Sequence, residues 1–583
     1  MEQIKETIVE FIKKAIEEAQ QEKILPYFDI PEIQLEHPRK ENFGDYASSV
    51  ALHLDKPTGK TPQKVGNILV EKILGFKDAK KYFAKIEVAA PGFINFYLEP
   101  EWLASQIQII LKEKDEFGGS KMGKGKTIVI DYSAPNIAKP LSVAHLRSTI
   151  IGQALCNIYK FLGYRVIRDN HLGDWGTQFG KLIYAYKKWG NKKKIEKNPV
   201  DELVKLYVKF HQEAKRNPEL DELARQETKE LQNKEKENYK LWKWFREKSL
   251  KDFNKIYKIL NVKFDYVLGE SFYHPMLSDI IKDALEKKIA RRSEGAIIIP
   301  LDEYNLPPLL IQKSDEAYLY TTTDIATIAY RVKKFKPRKI LYVVANQQAL
   351  YFEQLFQIAK ILGLVNKEEL VHVKFGMVLG KDKKKLATRE GRAVSLKSAL
   401  QEAIKRARKV IEEKNPKLKV KEKEKIARVV GVGALKYNDL SQTRLVDITF
   451  DWDKMLSLEG DSAPYLQYIY TRIQGIKRKV KSQKSKVKSQ DFKLLNTKEE
   501  INLLRKLYIF PEVVERCAED FMPHHIANFL FSLAQDFNIF YDRIPVLKAE
   551  VKLRRARLML IEVVAQVIKN GLNLLGIEVL GRM

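Results

Sequence analysis

The chain has 583 residues, too many for one hydrophobic core, so about three or four domains are expected. No apolar run reaches the roughly 18 residues of a membrane span, which predicts a soluble protein. Lysine plus arginine exceed aspartate plus glutamate by 104 to 75, giving a net charge of +29. This excess favours a polyanionic partner such as RNA or DNA, with a lysine-rich solubilising surface as the alternative.

Residues 1–120 mix amphipathic helices with short apolar runs such as KIEVAAPGFINFYL at 85–98, and they are predicted to form a separate N-terminal module. The first helix lacks the apolar block of a signal peptide. From Thr127 the pattern changes to a strand, IVIDY, followed by a proline-containing loop and a helix that begins near Ser142 and closes at Gly163. A second strand follows, so this region is predicted to be a strand-helix-strand unit.

A helical pattern at about 183–260 predicts an insertion that splits an α/β domain spanning 121–395. Residues 396–583 are predicted to be all-helical. Within them KVKSQ occurs at 479–483 and again at 486–490, which predicts a basic low-complexity loop over 477–491. Two distant cysteines, Cys156 and Cys517, argue against a disulfide framework or a thiolate zinc site.

The loop after IVIDY is a candidate nucleotide site, because the helix N-terminus that follows offers backbone donors to phosphate. It contains neither GxGxxG nor a P-loop, so a different adenylate chemistry is needed. Lys139 and His145 supply cationic or hydrogen-bonding groups close to the expected phosphates. The alternative for His145 is that it caps or packs within its own helix.

SAPNIAKPLSVAHLRSTIIG at 133–152 and DNHLGDWGTQFGKL at 169–182 resemble the two most recognisable sequences of arginyl-tRNA synthetases, and the likeness spans almost the whole chain. The resemblance implies a Rossmann-like class I catalytic domain with a helical insertion. It also implies a small α+β N-terminal domain that contacts the tRNA elbow, and a helical-bundle C-terminal domain that binds the anticodon.

Recognition of arginine requires a carboxylate against its guanidinium. Tyr320 and Asp324 stand at i and i+4 in YLYTTTD, and in the family the matching residues grip the guanidinium. The alternative is that Asp324 is a helix N-cap. The resemblance assigns the α-amino and carboxyl groups of the substrate to a clamp that comprises Asp131, Ser133, Asn136 and Gln348. It also places His171, Asp174 and Trp175 at the floor of this pocket.

The chain departs from the class I signatures. Ser142, Val143, Ala144 and His145 stand where the family has His-Ile-Gly-His or His-Val-Gly-His, and the second signature, Lys-Met-Ser-Lys-Ser, corresponds to Lys385 through Arg389. Ser142, Ala144, His145 and Lys385 are therefore the predicted ATP-binding residues. Lys139, Lys385 and Arg389 are expected to neutralise pyrophosphate, with a solvated basic loop as the alternative. Tyr351 replaces a histidine that is usual in the family.

The resemblance implies that arginine and ATP, with Mg²⁺ on the phosphates, give arginyl-adenylate and pyrophosphate. Arginine then passes to the 2′-hydroxyl of the terminal adenosine of tRNA(Arg), and activation itself requires bound tRNA. A cytoplasmic monomer with no metal site of its own is expected. Two rivals are a catalytically inactive RNA-binding paralogue and a different α/β nucleotidyl enzyme; YLYTTTD argues against the second.

Contacts to tRNA are predicted from the C-terminal domain, by stacking and by phosphate binding, at Arg444, Tyr465, Tyr468 and Arg472. Packing in a helical core explains the two tyrosines almost as well. The basic repeat at 479–490 is hypothesised to add phosphate contacts.

Overall fold

The computed structural model describes residues 4–38, 40–380, 394–480 and 489–583. The chain divides into two compact units. The first comprises Met1–Phe117, Lys477–Phe510 and Ser532–Val567, and the second comprises Gly118–Ile476, Pro511–Phe531 and Ile568–Met583. Among the described residues, no helix is long and apolar enough to cross a membrane.

The described strands are β1 (Leu35–Glu36), β2 (Tyr46–Ser48), β3 (Phe83–Ala89), β4 (Phe93–Leu98), β5 (Thr127–Asp131), β6 (Arg165–Asp169), β7 (Arg291–Ser293), β8 (Ala296–Ile299), β9 (Leu309–Gln312), β10 (Lys339–Tyr342), β11 (Glu369–His372), β12 (Val378–Leu379) and β13 (Ile448–Thr449). The helices up to the end of the insertion are α1 (Ile4–Gln21), α2 (Val50–His53), α3 (Asp55–Thr58), α4 (Pro62–Gly75), α5 (Ala79–Tyr82), α6 (Pro100–Glu113), α7 (Val143–Phe161), α8 (Thr177–Trp189), α9 (Lys192–Lys197), α10 (Pro199–Ala214), α11 (Glu219–Gln232) and α12 (Lys236–Ile259). The remaining helices are α13 (Glu270–Tyr273), α14 (Leu277–Glu286), α15 (Tyr320–Phe335), α16 (Ala349–Ile361), α17 (Leu396–Lys414), α18 (Val420–Leu440), α19 (Trp452–Met455), α20 (Ala463–Lys479), α21 (Lys498–Tyr508), α22 (Phe510–Asp520), α23 (His524–Arg543) and α24 (Val551–Leu574).

The first unit contains an antiparallel sheet of order β1-β2-β4-β3. Helix α1 buries Ile8, Ile12 and Ile16, which recur at helical spacing on one face. Gly44 has a φ of +90°, and a Cβ there would lie 2.6 Å from the carbonyl oxygen of Phe96. The α+β module predicted at the N-terminus is therefore confirmed in its fold class.

The second unit is built on a parallel sheet of order β11-β10-β5-β6. Asp131 at the end of β5 is in register with Tyr342 of β10 and with Asp169 of β6, so the carboxyl ends of three strands meet at one edge. Open α/β sheets bind their ligands at this edge. Helix α7 follows β5 and begins after Ser142, as the sequence predicts.

Helices α8 to α12 form the helical insertion, and a three-stranded antiparallel sheet of order β7-β8-β9 follows it. Beyond residue 394 the described chain is almost entirely helical, and its short strand β13 pairs in parallel with β12 of the preceding region. The predicted Rossmann-like domain with a helical insertion and the helical C-terminal region are confirmed.

Candidate active site at the carboxyl edge of the sheet

A buried charge cluster lies beneath the carboxyl edge of the parallel sheet. Arg331 of α15 is fully buried, and its NH2 donates to Asp131 at 2.7 Å and to Asp169 at 2.9 Å. Burial raises the pKa of the Asp169 carboxyl, and the Arg331 guanidinium opposes that rise. Oδ1 of Asp131 is buried and has no hydrogen-bond partner among the described residues. Asp131, predicted to bind arginine, is thus held by Arg331 through one oxygen.

The loop between β5 and α7 has an unusual backbone. Ser133, Ala134 and Ala138 have φ values of 73°, 41° and 61°, in the left-handed region that non-glycine residues rarely adopt. Backbone amides of all three donate to side chains: Ser133 N to Ser148 Oγ at 2.9 Å, Ala134 N to Asn170 Oδ1 at 3.1 Å and Ala138 N to Ser249 Oγ at 3.1 Å. Strained conformations held in this way cost about 1–3 kcal/mol each and cluster at functional sites.

Asn136 lies against Gly173. Ile137 N donates to the Gly173 carbonyl at 3.1 Å, and Gly173 N donates to the Pro135 carbonyl at 3.1 Å. A Cβ on Gly173 would lie 1.9 Å from Asn136 Oδ1, so the absence of a side chain there makes room for the amide. The two segments that carry the family resemblance therefore fit together at this point.

Ser142 and His145 interact at the N-terminus of α7. The Ser142 backbone N–H donates to His145 Nδ1 at 3.1 Å, and Ser142 Oγ is 2.9 Å from the same nitrogen. Because Nδ1 accepts, the neutral imidazole carries its proton on Nε2. Burial lowers the pKa of His145, which favours this neutral form. His145 thus takes part in the cap of its own helix, as the alternative stated, and still presents an Nε2–H donor.

Two cavities adjoin this helix terminus. The apolar cavity has a volume of about 290 Å³, and its wall includes Ser142, Ala144, Phe375, Gly376, Met377 and Val378. The loop cavity has a volume of about 340 Å³, and its wall includes Asn136, Lys139, Ser142, His145, Val204 and Tyr207. Ser142 lines both, so the two cavities lie on either side of the start of α7. The methyl group of Ala144 is exposed in the apolar wall.

Tyr320 and Asp324 lie on the first two turns of α15, and 57% of Tyr320 is exposed. Leu319 is the N-cap of this helix, so the capping alternative for Asp324 is wrong. Tyr351 donates a hydrogen bond to Asp324 Oδ2, and His171 Nε2 lies 3.8 Å from Oδ1. Burial raises the pKa of Asp324, while His171 and the Tyr351 hydrogen bond oppose the rise. Tyr351, whose role the sequence left open, therefore holds the carboxylate.

Glu270, at the start of α13, is a second, half-buried acid that sequence reasoning missed. Burial, followed by repulsion from Asp174 and Asp324, raises the pKa of Glu270 to about 8. Asp174 is buried and accepts from Arg246 Nε at 2.7 Å and from Ser271 N at 2.9 Å, which fixes the turn that carries Glu270. Glu270 belongs to the segment GESFY at 269–273, which lies within the family resemblance, but no local pattern marks this glutamate as functional. Because Asp324 and Glu270 can both carry negative charge, this site suits a ligand with a cationic group.

Gln348 lies in an exposed turn after β10. Lys385 and Arg389 lie outside the described residues, as does 481–488 of the basic repeat. These positions remain predictions.

The predicted tRNA-binding residues have different environments. Arg444 is buried and donates to the carbonyls of Phe521 at 3.0 Å and Lys374 at 2.5 Å. Tyr465 is buried too, whereas 40% of Tyr468 is exposed and the guanidinium carbon of Arg472 lies 5.6 Å from the centre of its ring. Arg444 and Tyr465 thus take part in packing, and Tyr468 with Arg472 offers an aromatic and cationic pair.

Three family models match the chain. The model described as "tRNA synthetases class I (R), catalytic domain" matches residues 106–452. The model described as "DALR anticodon binding domain" matches 466–583, and the model described as "Arginyl tRNA synthetase N terminal domain" matches 2–98. The chain is 42% identical over 563 residues to an arginine–tRNA ligase of Fusobacterium nucleatum, covering 96% of this chain and 97% of that protein. It is 39% identical over 584 residues to one from Clostridioides difficile, with complete coverage of both.

Its structure is similar to that of an arginyl-tRNA synthetase from Plasmodium falciparum, with a TM-score of 0.81, 27% identity and complete coverage of both chains. The structural similarity extends through both compact units. It includes α7, here called the signature helix because the residues at the first class I signature, Ser142 to His145, lie at its start. The chain therefore belongs to the class I arginyl-tRNA synthetase family.

Proposed function

We propose that this protein is an arginine–tRNA ligase, which activates arginine with ATP and transfers it to tRNA(Arg). The observation that carries the proposal is the pair of half-buried acids, Asp324 and Glu270, whose carboxylates lie close enough for the charge of Asp324 to raise the pKa of Glu270. Asp131 and Arg331 influence the pKa of Asp324, so this pocket belongs to the same carboxyl edge as the β5–α7 loop. A substrate with a cationic side chain and a reacting carboxylate fits this arrangement.

Arginine is recognised by its guanidinium. Asp324 accepts its N–H groups, and Tyr320, Glu270 and the polar floor complete the pocket. A planar guanidinium pairs with carboxylates through two parallel hydrogen bonds, which lysine cannot form. Asp131, Ser133, Asn136 and Gln348 are proposed to bind the α-amino and carboxyl groups. The unpartnered Oδ1 of Asp131 supports its part in this clamp.

ATP is proposed to place its adenine in the apolar cavity beside Ala144 and its phosphates at the start of α7. An oxygen of the arginine carboxylate attacks the α-phosphorus of ATP and forms a bond to it. The bond from the α-phosphorus to the oxygen that bridges to the β-phosphate breaks, and pyrophosphate leaves. His145 Nε2–H donates to the charge that develops on the phosphate oxygens, and Ser142 stands where the usual first histidine would donate. Lys139, Lys385 and Arg389 neutralise the departing pyrophosphate. Mg²⁺ enters with ATP, bound by its phosphates.

The second step transfers the arginyl group to tRNA. The 2′-hydroxyl of the terminal adenosine attacks the acyl carbon of the adenylate, and AMP leaves. We propose that tRNA must be bound for activation, that the N-terminal module over 1–120 contacts the tRNA elbow, and that residues 396–583 bind the anticodon. Tyr468 and Arg472 are the best-supported contacts, because Tyr468 is exposed on α20 and the half-buried Arg472 lies over its ring. A cytoplasmic monomer with its catalytic domain over 121–395 completes the proposal.

The test is ATP–pyrophosphate exchange with each of the amino acids, with and without tRNA(Arg). Exchange is expected with arginine alone among them, and it should require tRNA. Absence of exchange under every condition would leave only an RNA-binding paralogue. Exchange that proceeds equally with lysine would refute the guanidinium pocket.

A further inference from the structure

Arg147 of α7 is a fully buried arginine two residues beyond His145. Its Nε donates to both oxygens of Asp439, at 3.1 and 3.2 Å, and the two side chains are 1% and 2% exposed. Its NH1 donates to the carbonyl of Val446 at 2.9 Å and, more weakly, to that of Met377 at 3.4 Å. Its NH2 donates to the carbonyl of Arg444 at 3.3 Å. The guanidinium therefore joins three separate chain segments to the signature helix.

One of these segments forms the wall of the apolar cavity. Phe375, Gly376, Met377 and Val378 line that cavity, and the guanidinium carbon of Arg147 lies 5.6 Å from the centre of the Phe375 ring. Arg147 itself lines the cavity beside this wall, and its guanidinium donates to the Met377 carbonyl within it. A shift of Arg147 would thus move the wall relative to Ala144.

The wall is also held from behind by residues 444–449. Gly376 N donates to the Arg444 carbonyl at 2.9 Å, and Ile448 N donates to the Met377 carbonyl at 2.9 Å. β12 then continues the contact by pairing with β13. A Cβ on Gly376 would lie 2.5 Å from the Val446 carbonyl oxygen, so the two segments approach closely. Arg147 bridges both segments at this junction.

The chemistry of the pair suits positioning better than general stabilisation. Burial raises the pKa of Asp439, and Arg147 opposes that rise, so part of the ion-pair energy is spent on desolvation. A buried ion pair often adds little net stability, but it specifies one arrangement of its neighbours. The planar fork of arginine can serve several acceptors in fixed directions, whereas a lysine ammonium cannot.

We propose that Arg147 and Asp439 are positioning residues for ATP, which fix the distance between the N-terminus of α7 and the 375–378 wall that receives the adenine. The inference rests on the proposed function for the identity of the nucleotide. Asp439 belongs to α18, so nucleotide binding is tied to the packing of this helix against α7. The pair touches neither arginine nor its pocket.

Asp439→Asn and Gly376→Ala disturb this junction in two different ways. The first removes the charge opposite Arg147, and the second pushes the wall away from Val446. Titration calorimetry with a non-hydrolysable ATP analogue should show an affinity lower by about tenfold or more in both variants, because small misplacements at such sites are costly. The affinity for arginine should stay within about twofold of wild type, since no arginine contact changes.

Glu500→Gln is the matched control. Glu500 is buried and pairs with Arg557 at 2.7 Å in the other compact unit, so its loss removes the same type of charge pair. It should lower the melting temperature without changing affinity for the analogue. If Asp439→Asn and Gly376→Ala lose arginine and nucleotide affinity equally, or behave as Glu500→Gln does, the pair is merely structural and the proposal is overturned.

Hydrogen exchange of the wild-type protein provides a measurement that does not depend on folding of a variant. Binding of the analogue should slow amide exchange both at 375–379 and at 444–449; slowing at the first segment alone would overturn the proposal. The calorimetry and hydrogen-exchange measurements require binding but no reaction, so their results are independent of the ATP–pyrophosphate exchange assay. A protein that binds the analogue but activates no amino acid would refute the proposed function and leave the positioning role intact.

Discussion

Asp324→Asn should weaken arginine recognition while leaving the tRNA surfaces intact. The change removes the negative charge but keeps the size of the side chain and one oxygen for Tyr351. Truncating one partner of a buried charge pair costs about 2–5 kcal/mol, which corresponds to roughly 30-fold to a few thousandfold in affinity. The Asp324 side chain is 26% exposed and Glu270 remains nearby, so the lower part of this range applies. A rise of about 30- to 100-fold in KM for arginine is expected.

The assay is pyrophosphate exchange at saturating ATP and tRNA with arginine varied, together with direct measurement of tRNA affinity. Asp283→Asn is the control, because Asp283 is an exposed carboxylate paired with Lys287 on α14. Asp283→Asn should change neither the KM for arginine nor the affinity for tRNA. Equal losses of arginine and tRNA affinity in Asp324→Asn, or an equal effect of the control, would show that Asp324 acts on the fold rather than on the guanidinium.

Three further results are expected. Glu270, with its pKa raised to about 8, is largely protonated at pH 7 in the free protein, and an arriving guanidinium lowers that pKa. Arginine binding should therefore release up to about one proton, measured by calorimetry in buffers of different ionisation enthalpy, and affinity should rise with pH up to about 8. No release, or the same release in Glu270→Gln, would contradict this. Gly173→Ala should displace Asn136 and raise KM for arginine by about tenfold with an unchanged melting temperature; an unchanged KM would argue against the clamp. Arg331→Met leaves two buried carboxylates without their cation and should lower the free energy of unfolding by about 3–5 kcal/mol in urea titration. Arg225→Met, at an exposed ion pair, should lower it by less than about 1 kcal/mol; similar losses would refute the role assigned to the buried cluster.

Much of the catalytic fold could be predicted because its signals are local. The apolar run of β5, the cap at Ser142 and the glycine at 163 each report a conformation that the neighbouring residues determine. Likewise, the spacing of Tyr320 and Asp324 predicted one helical face, and α15 begins at Tyr320. Composition predicted the solvated, basic character of the chain but not which surface carries it.

Side-chain partners distant in sequence were not predictable in the same way. Periodicity shows that Arg147 and Arg444 lie on helical or buried segments, but it does not show that their guanidinium groups turn inward. Arg444, predicted to contact tRNA, instead donates to two backbone carbonyls within the described chain. Its tRNA contact remains a prediction that the present geometry does not favour.

The sequence by itself determined the family, the parallel sheet and the helix that receives phosphate, because local patterns and ordered motifs encode them. Only the tertiary structure decided that Tyr351 holds Asp324, that Glu270 joins it as a second acid and that Arg147 reaches Asp439. Polar groups that become buried must form hydrogen bonds, and here they form them with groups that are far away in the sequence. Which groups become partners depends on how the helices and strands pack.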